Sequence, residues 1–134
     1  FKHLFLMVAG NATQKYGNNL QEEQQVLLAL ADILIEIYFC ESAILRTIKN
    51  FNREGGKNQD TQIAMVQNYV FEAQNLMTRR AKEVIFHLTD DNETQRDQLI
   101  NAVEKHGDYI KSPNAFALRT KIADRFIKEN SYFI

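Results

Sequence analysis

Two acidic residues have the spacing that carboxylate sites on helices use. Asp32 and Glu36 lie four positions apart, so a helix would carry both side chains on one face. In di-iron bundles, paired carboxylates hold metal together with a Glu-x-x-His motif on neighbouring helices. None of His3, His87 and His106 follows a glutamate by three positions. We therefore predict no metal-binding or catalytic residues here, and we interpret the two acids as partners in structural ion pairs.

Arginines supply the partners that these two acids would need. An isolated charge inside a bundle costs several kcal/mol, so each acid should lie near a cation. The candidates are Arg46, Arg79, Arg80 and Arg119. Arg119 is predicted to lie in the middle of an inward-facing apolar arc on the last helix, where it needs a carboxylate or a route to solvent. That arc comprises Ala115, Phe116, Leu118, Ile122, Ala123, Phe126 and Ile127.

The opposite face of the last helix is basic. Lys121, Arg125 and Lys128 share this face, and an apolar stripe opposite a basic one is the layout of a helix that lies on a membrane. Asp124 and Glu129 dilute the positive charge. An ordinary solvated face is the main interpretation, and contact with a membrane or an anionic partner is the alternative.

Composition and motifs exclude several classes of function. Sixteen basic against seventeen acidic residues give a net charge of −1, so there is no basic surplus for a nucleic-acid partner. The chain has no glycine-rich phosphate loop and no His-Glu-x-x-His. The lone Cys40 is predicted to be a small buried side chain. A single cysteine fits a protein of a reducing compartment or one that is indifferent to redox state. No apolar run approaches the roughly 18 residues that cross a bilayer.

Helical periodicity dominates the whole chain. One proline and five glycines leave few breaks in 134 residues, and apolar residues recur every three or four positions. Five helices are predicted, at about 1–16, 20–50 and 62–88, a fourth that ends at Gly107, and a fifth that is capped by Ser112 and runs to about residue 129. Residues 51–59 are predicted to form a loop. The fold class is all-α: an antiparallel helical bundle with two long central helices, in a single helical domain over residues 1–134.

The second helix carries more apolar surface than an ordinary surface helix. At 100° per residue its apolar side chains cover well over half of the circumference, whereas an amphipathic surface helix has a narrower stripe. We expect this helix to be enclosed on several sides, by its own bundle or by another domain.

Several stretches of the chain together resemble one protein family. They are Phe1-Lys2-His3-Leu4, Ala12-Thr13-Gln14-Lys15-Tyr16-Gly17, Gln21-Glu22-Glu23-Gln24-Gln25-Val26-Leu27, Leu30-Ala31-Asp32-Ile33-Leu34-Ile35-Glu36-Ile37-Tyr38 and Glu41-Ser42-Ala43-Ile44-Leu45-Arg46-Thr47. More loosely, Tyr69, Glu72-Ala73, Ser112-Pro113-Asn114, Arg119 and Ile122-Ala123 agree as well. The chain resembles the C-terminal extension of bacterial acyl-CoA dehydrogenases related to the very-long-chain branch.

The resemblance implies an indirect function. In the family a flavin-dependent body of three domains precedes this extension and holds the FAD, the acyl-CoA channel and the catalytic glutamate. The chain is therefore expected to be a C-terminal fragment of a larger flavoenzyme of fatty acid metabolism, with no cofactor of its own and no enzyme activity by itself. Its implied partners are the upstream dehydrogenase domains and further copies in a homo-oligomer. The implied location is cytoplasmic, or peripheral at the inner membrane in some members. The alternative is a free-standing helical protein-interaction module.

Overall fold

The computed structural model describes residues 1–55, 59–107 and 112–129. In these residues there are five α-helices and no strand, which confirms the all-α prediction. A 3₁₀ turn, Gly17–Glu22, follows the first helix. The helices are α1 (Lys2–Tyr16), α2 (Gln24–Glu54), α3 (Asp60–Leu88), α4 (Glu93–Gly107) and α5 (Ala115–Glu129).

The helices form two compact units. Unit 1 comprises Phe1–Ile37 and Gln74–Asp108, and unit 2 comprises Tyr38–Ala73 and Tyr109–Ile134. The two long helices α2 and α3 therefore contribute residues to both units. A single domain over residues 1–134 stays a prediction.

Unit 1 has a core drawn from four helices. The predicted stripe of α1 is confirmed, because Leu4, Val8 and Ala12 are fully buried at a spacing of four residues. The other fully buried side chains of this core are Ile33 of α2, Met77, Ala81 and Ile85 of α3, and Val103 of α4. Glu23 lies near His87, and Asp32 lies near Arg80, so α2 and α3 run antiparallel within this unit.

In the described part of the chain, unit 2 has fewer buried apolar residues, and their side chains are small. The buried apolar residues that it takes from α2 and α3 are Cys40, Ala64, Val70 and Ala73. Asn50 Nδ2 donates to Gln62 Oε1 at 3.4 Å between these helices. The predicted burial of Cys40 is confirmed.

Local interactions fix the ends of the helices. Gly17 ends α1 with φ of 52°, a conformation in the left-handed region that glycine adopts without strain. Lys15 Nζ donates to the carbonyl of Leu88 at 2.7 Å and so satisfies a terminal acceptor of α3. Asn92 Oδ1 accepts from Gln95 N at 3.0 Å, which is an N-cap for α4.

Two predicted boundaries are wrong. Residues 51–54 continue α2 instead of starting a loop, because the first strong breaker is Gly55 with φ of 61°. At the other end of the chain, Asn114 rather than Ser112 caps α5, since Asn114 Oδ1 accepts from Ala117 N at 3.1 Å. Residues 56–58, and the apolar tail predicted at 132–134, lie outside the described residues.

Gly107 marks a close approach of α4 to α3. A Cβ atom at Gly107 would lie 2.6 Å from Thr78 Oγ1, a buried hydroxyl without a hydrogen-bond partner in the described part of the chain. Gly107→Ala gains up to about 1 kcal/mol of helix propensity. It also displaces the Thr78 side chain from its rotamer, at a cost of roughly 0.5–1.5 kcal/mol.

A double-mutant cycle separates the two effects. We expect Gly107→Ala to be about 1 kcal/mol less favourable in the wild-type background than in a Thr78→Ala background, where no hydroxyl stands in the way. Urea titration of the four proteins measures this difference. Additive free energies of unfolding would show that the helices do not meet at this point.

Candidate functional site

Asp32 and Arg80 form an ion pair between α2 and α3 of unit 1. Arg80 Nη2 lies 2.8 Å from Asp32 Oδ2, and Arg80 Nη1 lies 2.9 Å from Glu83 Oε2. The hydrogen bond that Arg80 donates to Glu83 is the main reason why the pKa of Arg80 is raised above its ordinary value, and the Asp32 charge adds to it. One guanidinium thus engages two carboxylates. This arrangement holds the Asp32 carboxylate against the Arg80 guanidinium.

The other predicted ion-pair residues lie elsewhere. Arg79 Nε is 3.9 Å from Glu83 Oε1, at the limit of an ion pair. Glu36 is half-buried and Arg46 is exposed, both on α2. In unit 2, Arg119 bonds Glu72 through Nη2 and donates from Nε to Asn68 Oδ1 at 3.1 Å. The pairing roles of Glu36 and Arg46 stay predictions.

Three residues that contact the predicted arginines were not predicted from the sequence: Glu83, Glu72 and Asn68. Glu83 stands three and four positions after the two arginines of α3, and that spacing is a signal that was available. Glu72 and Asn68 meet Arg119 through the packing of α5 on α3, and sequence spacing carries no signal for such a contact. Within the described residues, no group of three or more His, Cys, Asp or Glu side chains could hold a metal ion.

A shallow groove of about 320 Å³ lies between α2 and α3 in unit 1. Its polar wall includes Arg80, Glu83 and His87, and its apolar wall includes Leu28 and Val84. Because Arg80 and Glu83 bond each other, these charges are already compensated. The groove resembles a contact surface for side chains more than a reaction centre.

The end of this groove carries a small polar cluster. His87 Nε2 lies 3.5 Å from Glu23 Oε2, and the His87 ring stacks on Tyr16 with ring centroids 6.4 Å apart. Burial, with a smaller contribution from the Glu23 charge, raises the pKa of Tyr16 above its ordinary value. The Tyr16 phenol is therefore neutral at physiological pH and acts as a packing group.

Several large apolar side chains on α2 in unit 2 are exposed to solvent. We call this set the α2 patch. The patch consists of Tyr38, Phe39, Ile44, Leu45, Ile48 and Phe51. At 100° per residue, all of these except Phe39 fall within an arc about 140° wide. Phe39 packs edge-on against Tyr38, with ring centroids 5.8 Å apart. An arc of this width is typical of a helix face that is covered by other protein.

Unit 1 exposes further apolar side chains of the same helix. They are Leu27, Leu28, Leu34 and Ile35. We expect α2 to be enclosed by its own bundle or by another domain. The described residues leave much of its apolar surface exposed, so the bundle does not enclose α2 within this part of the chain. Cover by another domain stays a prediction.

The inward arc predicted for α5 is also wrong in part. Phe116 and Ile127 are 80% and 78% exposed. The half-buried apolar side chains of α5 are instead Ala115, Leu118, Ile122 and Phe126, which recur every three or four residues. Arg119 lies at the border of this face, where its guanidinium reaches both solvent and Glu72.

The predicted basic face of α5 is largely neutralised. Lys121 Nζ is 3.7 Å from Asp60 Oδ2, and Arg125 Nη2 is 3.0 Å from Glu129 Oε1. Lys128 is exposed near the end of the helix. In the described part of the chain, no helix combines the length and the apolar character that crossing a bilayer requires.

These features define an all-helical protein with a set of exposed apolar side chains along α2. A family model for the C-terminal domain of acyl-CoA dehydrogenases matches residues 1–105. A probable acyl-CoA dehydrogenase of Bacillus subtilis (strain 168) is 35% identical over 89 residues, which are 66% of this chain and 15% of that protein. The crystal structure of an acyl-CoA dehydrogenase complexed with FAD from Bacillus anthracis has a TM-score of 0.91 at 29% identity, and the match covers 99% of this chain and 23% of that one.

This chain belongs to the family of acyl-CoA dehydrogenase C-terminal domains. The family resemblance predicted from the sequence is confirmed at that level. The chain spans less than a quarter of the length of the two dehydrogenases that it matches.

Proposed function

We propose that this chain is the non-catalytic C-terminal domain of an FAD-dependent acyl-CoA dehydrogenase and that it docks on the dehydrogenase domains through the α2 patch. The parent enzyme would oxidise a fatty acyl-CoA at its alpha and beta carbons in the cytoplasm, with FAD bound outside this segment. Assignment to the very-long-chain branch is part of the proposal and depends on the motifs in residues 1–47.

The observation that carries this proposal is the exposed arc of the α2 patch. A fully buried large apolar side chain contributes about 1.5–3 kcal/mol, so covering a half-exposed one contributes roughly 1 kcal/mol. Tyr38 and Leu45, at 67% and 60% exposed, would gain most from a cover. Monomeric proteins rarely leave an apolar patch of this kind in contact with water.

The size of this gain favours docking within one polypeptide. Five or six side chains contribute about 5 kcal/mol, which is at the low end of the estimated cost of bringing two separate molecules together. A covalent connection removes most of that cost, because the second partner is already at a high effective concentration. The patch is therefore better suited to a neighbouring domain of the same chain than to a separate protein.

Thiol labelling tests the docking proposal. Cys40 is first replaced by alanine, and cysteine is then placed either at Leu45 in the α2 patch or at Ile127 on α5. We expect Leu45→Cys to react at least about tenfold more slowly in the parent enzyme than in the 134-residue chain, because a docked surface excludes the reagent. Ile127→Cys should react at similar rates in both proteins. Equal rates for Leu45→Cys in the two proteins would refute docking through this patch.

Three other roles are weaker candidates. In a homo-oligomer, a second copy would cover the α2 patch, and Leu45→Cys would then be protected in the 134-residue chain at high concentration. Contact with a membrane would use Phe116 and Ile127 of α5, whose exposure favours it, although carboxylates near Lys121 and Arg125 oppose attraction to anionic lipid. Protection of Ile127→Cys by anionic vesicles would identify that role. A free-standing interaction module would show protection of Leu45→Cys only with a separate protein.

A further inference from the structure

Two of the three histidines come together at one end of unit 1. His3 lies in the first turn of α1, and His106 lies in the last turn of α4. Their ring centroids are 6.2 Å apart and their planes are inclined by 31°. Both side chains are exposed, so small ions reach them from solvent.

The separation of the rings is close to that of two imidazoles on one metal ion. A zinc–imidazole bond is about 2.0–2.1 Å long, so two rings that share a zinc ion at a tetrahedral angle have centres roughly 5–5.5 Å apart. The observed separation is 6.2 Å. Binding an ion would therefore bring the rings closer by about 1 Å. Because both side chains are exposed, rotation about their side-chain bonds would supply this movement.

The ligand type and the helix positions agree with this geometry. Neutral imidazole is a preferred ligand of Zn²⁺ and other divalent transition metals. Each histidine lies in the terminal turn of its helix, where fewer backbone hydrogen bonds hold the chain. Water would complete the coordination, because the described residues contain no cluster of three or more His, Cys, Asp and Glu side chains. Two protein ligands with an open coordination sphere are typical of an exchangeable site.

We propose that His3 and His106 form an accessory Zn²⁺ site that ties α1 to α4. The site belongs to unit 1, whereas the α2 patch belongs to unit 2. Zinc binding does not depend on docking to the dehydrogenase domains. A bound ion would link the first helix of unit 1 to the last one and so oppose fraying of both ends. The ion would act only as a cross-link between the two helices and would take no part in a reaction.

Isothermal titration with Zn²⁺ alone tests the proposal, using the full chain and the variants His3→Gln and His106→Gln. The matched control is His87→Gln, which removes the remaining histidine at its separate contact with Glu23. We expect one equivalent of Zn²⁺ to bind to the wild type and to His87→Gln. Each of the other two variants should bind at least about tenfold more weakly, because each loses one of only two protein ligands.

A thermal scan supplies a second measurement. Zn²⁺ should raise the Tm of the wild type and of His87→Gln, since an ion that binds only the folded state stabilises it. Unfolded variants would be detected by their loss of helical circular dichroism, and His3→Asn and His106→Asn then replace them. The proposal is overturned if the wild type binds no Zn²⁺, if either histidine of the pair can be removed without loss of affinity, or if His87→Gln weakens binding equally.

Discussion

Ile33→Ala is expected to lower the free energy of unfolding by about 2–5 kcal/mol. Ile33 is fully buried in the core of unit 1, and its removal leaves a cavity that the neighbouring helices cannot fill completely. A loss of this size is a large fraction of the 5–15 kcal/mol that is typical of a folded protein. Urea titration followed by circular dichroism measures it.

Leu34→Ala is the matched control for this prediction. Leu34 is the next residue of the same helix and is 51% exposed, so its truncation should change the free energy of unfolding by only about 0.5 kcal/mol. If Ile33→Ala does not fold, Ile33→Val should still cost about 0.5–1.5 kcal/mol. Similar losses for Ile33→Ala and Leu34→Ala would show that α2 does not present Ile33 to the core.

Leu45→Asp is expected to detach the domain from the parent dehydrogenase while leaving the domain itself folded. A carboxylate in a covered apolar contact loses its hydration and has no cation beside it, which costs several kcal/mol. That cost is comparable to the whole gain of about 5 kcal/mol from covering the α2 patch, so the docking equilibrium constant should fall by at least about 1,000-fold. In the separate 134-residue chain the same side chain is in water, and stability should change by only about 0.5 kcal/mol.

A reporter thiol at Tyr38 measures this detachment. In the parent enzyme with Tyr38→Cys and Cys40→Ala, adding Leu45→Asp should accelerate labelling of the thiol at least about tenfold, because the patch opens to solvent. Ile127→Asp is the control, since Ile127 is equally apolar and highly exposed but lies on α5. The docking surface has been misplaced if Ile127→Asp accelerates the labelling as much as Leu45→Asp does.

Some elements of the fold follow directly from sequence pattern. The α1 stripe is predictable because Leu4, Val8 and Ala12 make a single apolar line, and a single line has only one way to face a core. The end of α1 is equally local, since Gly17 provides the left-handed residue that stops a helix. The ion pair of Arg80 with Glu83 depends on helical spacing alone.

Other features depend on information that one sequence lacks. The apolar pattern of α2 indicates that other protein packs against much of this helix. The pattern does not indicate whether that protein is the bundle itself or another domain. The apolar residues of α5 divide between two faces of the helix. A single apolar arc through all of them predicts that Phe116 and Ile127 are buried, whereas both are exposed. The pairing of Asp32 with Arg80 requires the register between α2 and α3, which emerges only from their packing.

The division of the chain between its two units has a consequence for how it folds. Unit 1 is built from two segments that are separated by the whole of residues 38–73, so its core brings together parts that are distant along the chain. Such long-range contacts are slow to form, because the intervening segment must first lose the entropy of an open loop. The adjoining halves of α2 and α3 make up most of that segment, and early pairing of these two helices would shorten the search for the contacts of unit 1. We expect α1 and α4 to join last, so that Val8 and Val103 contribute mainly to the rate of unfolding and little to the rate of folding.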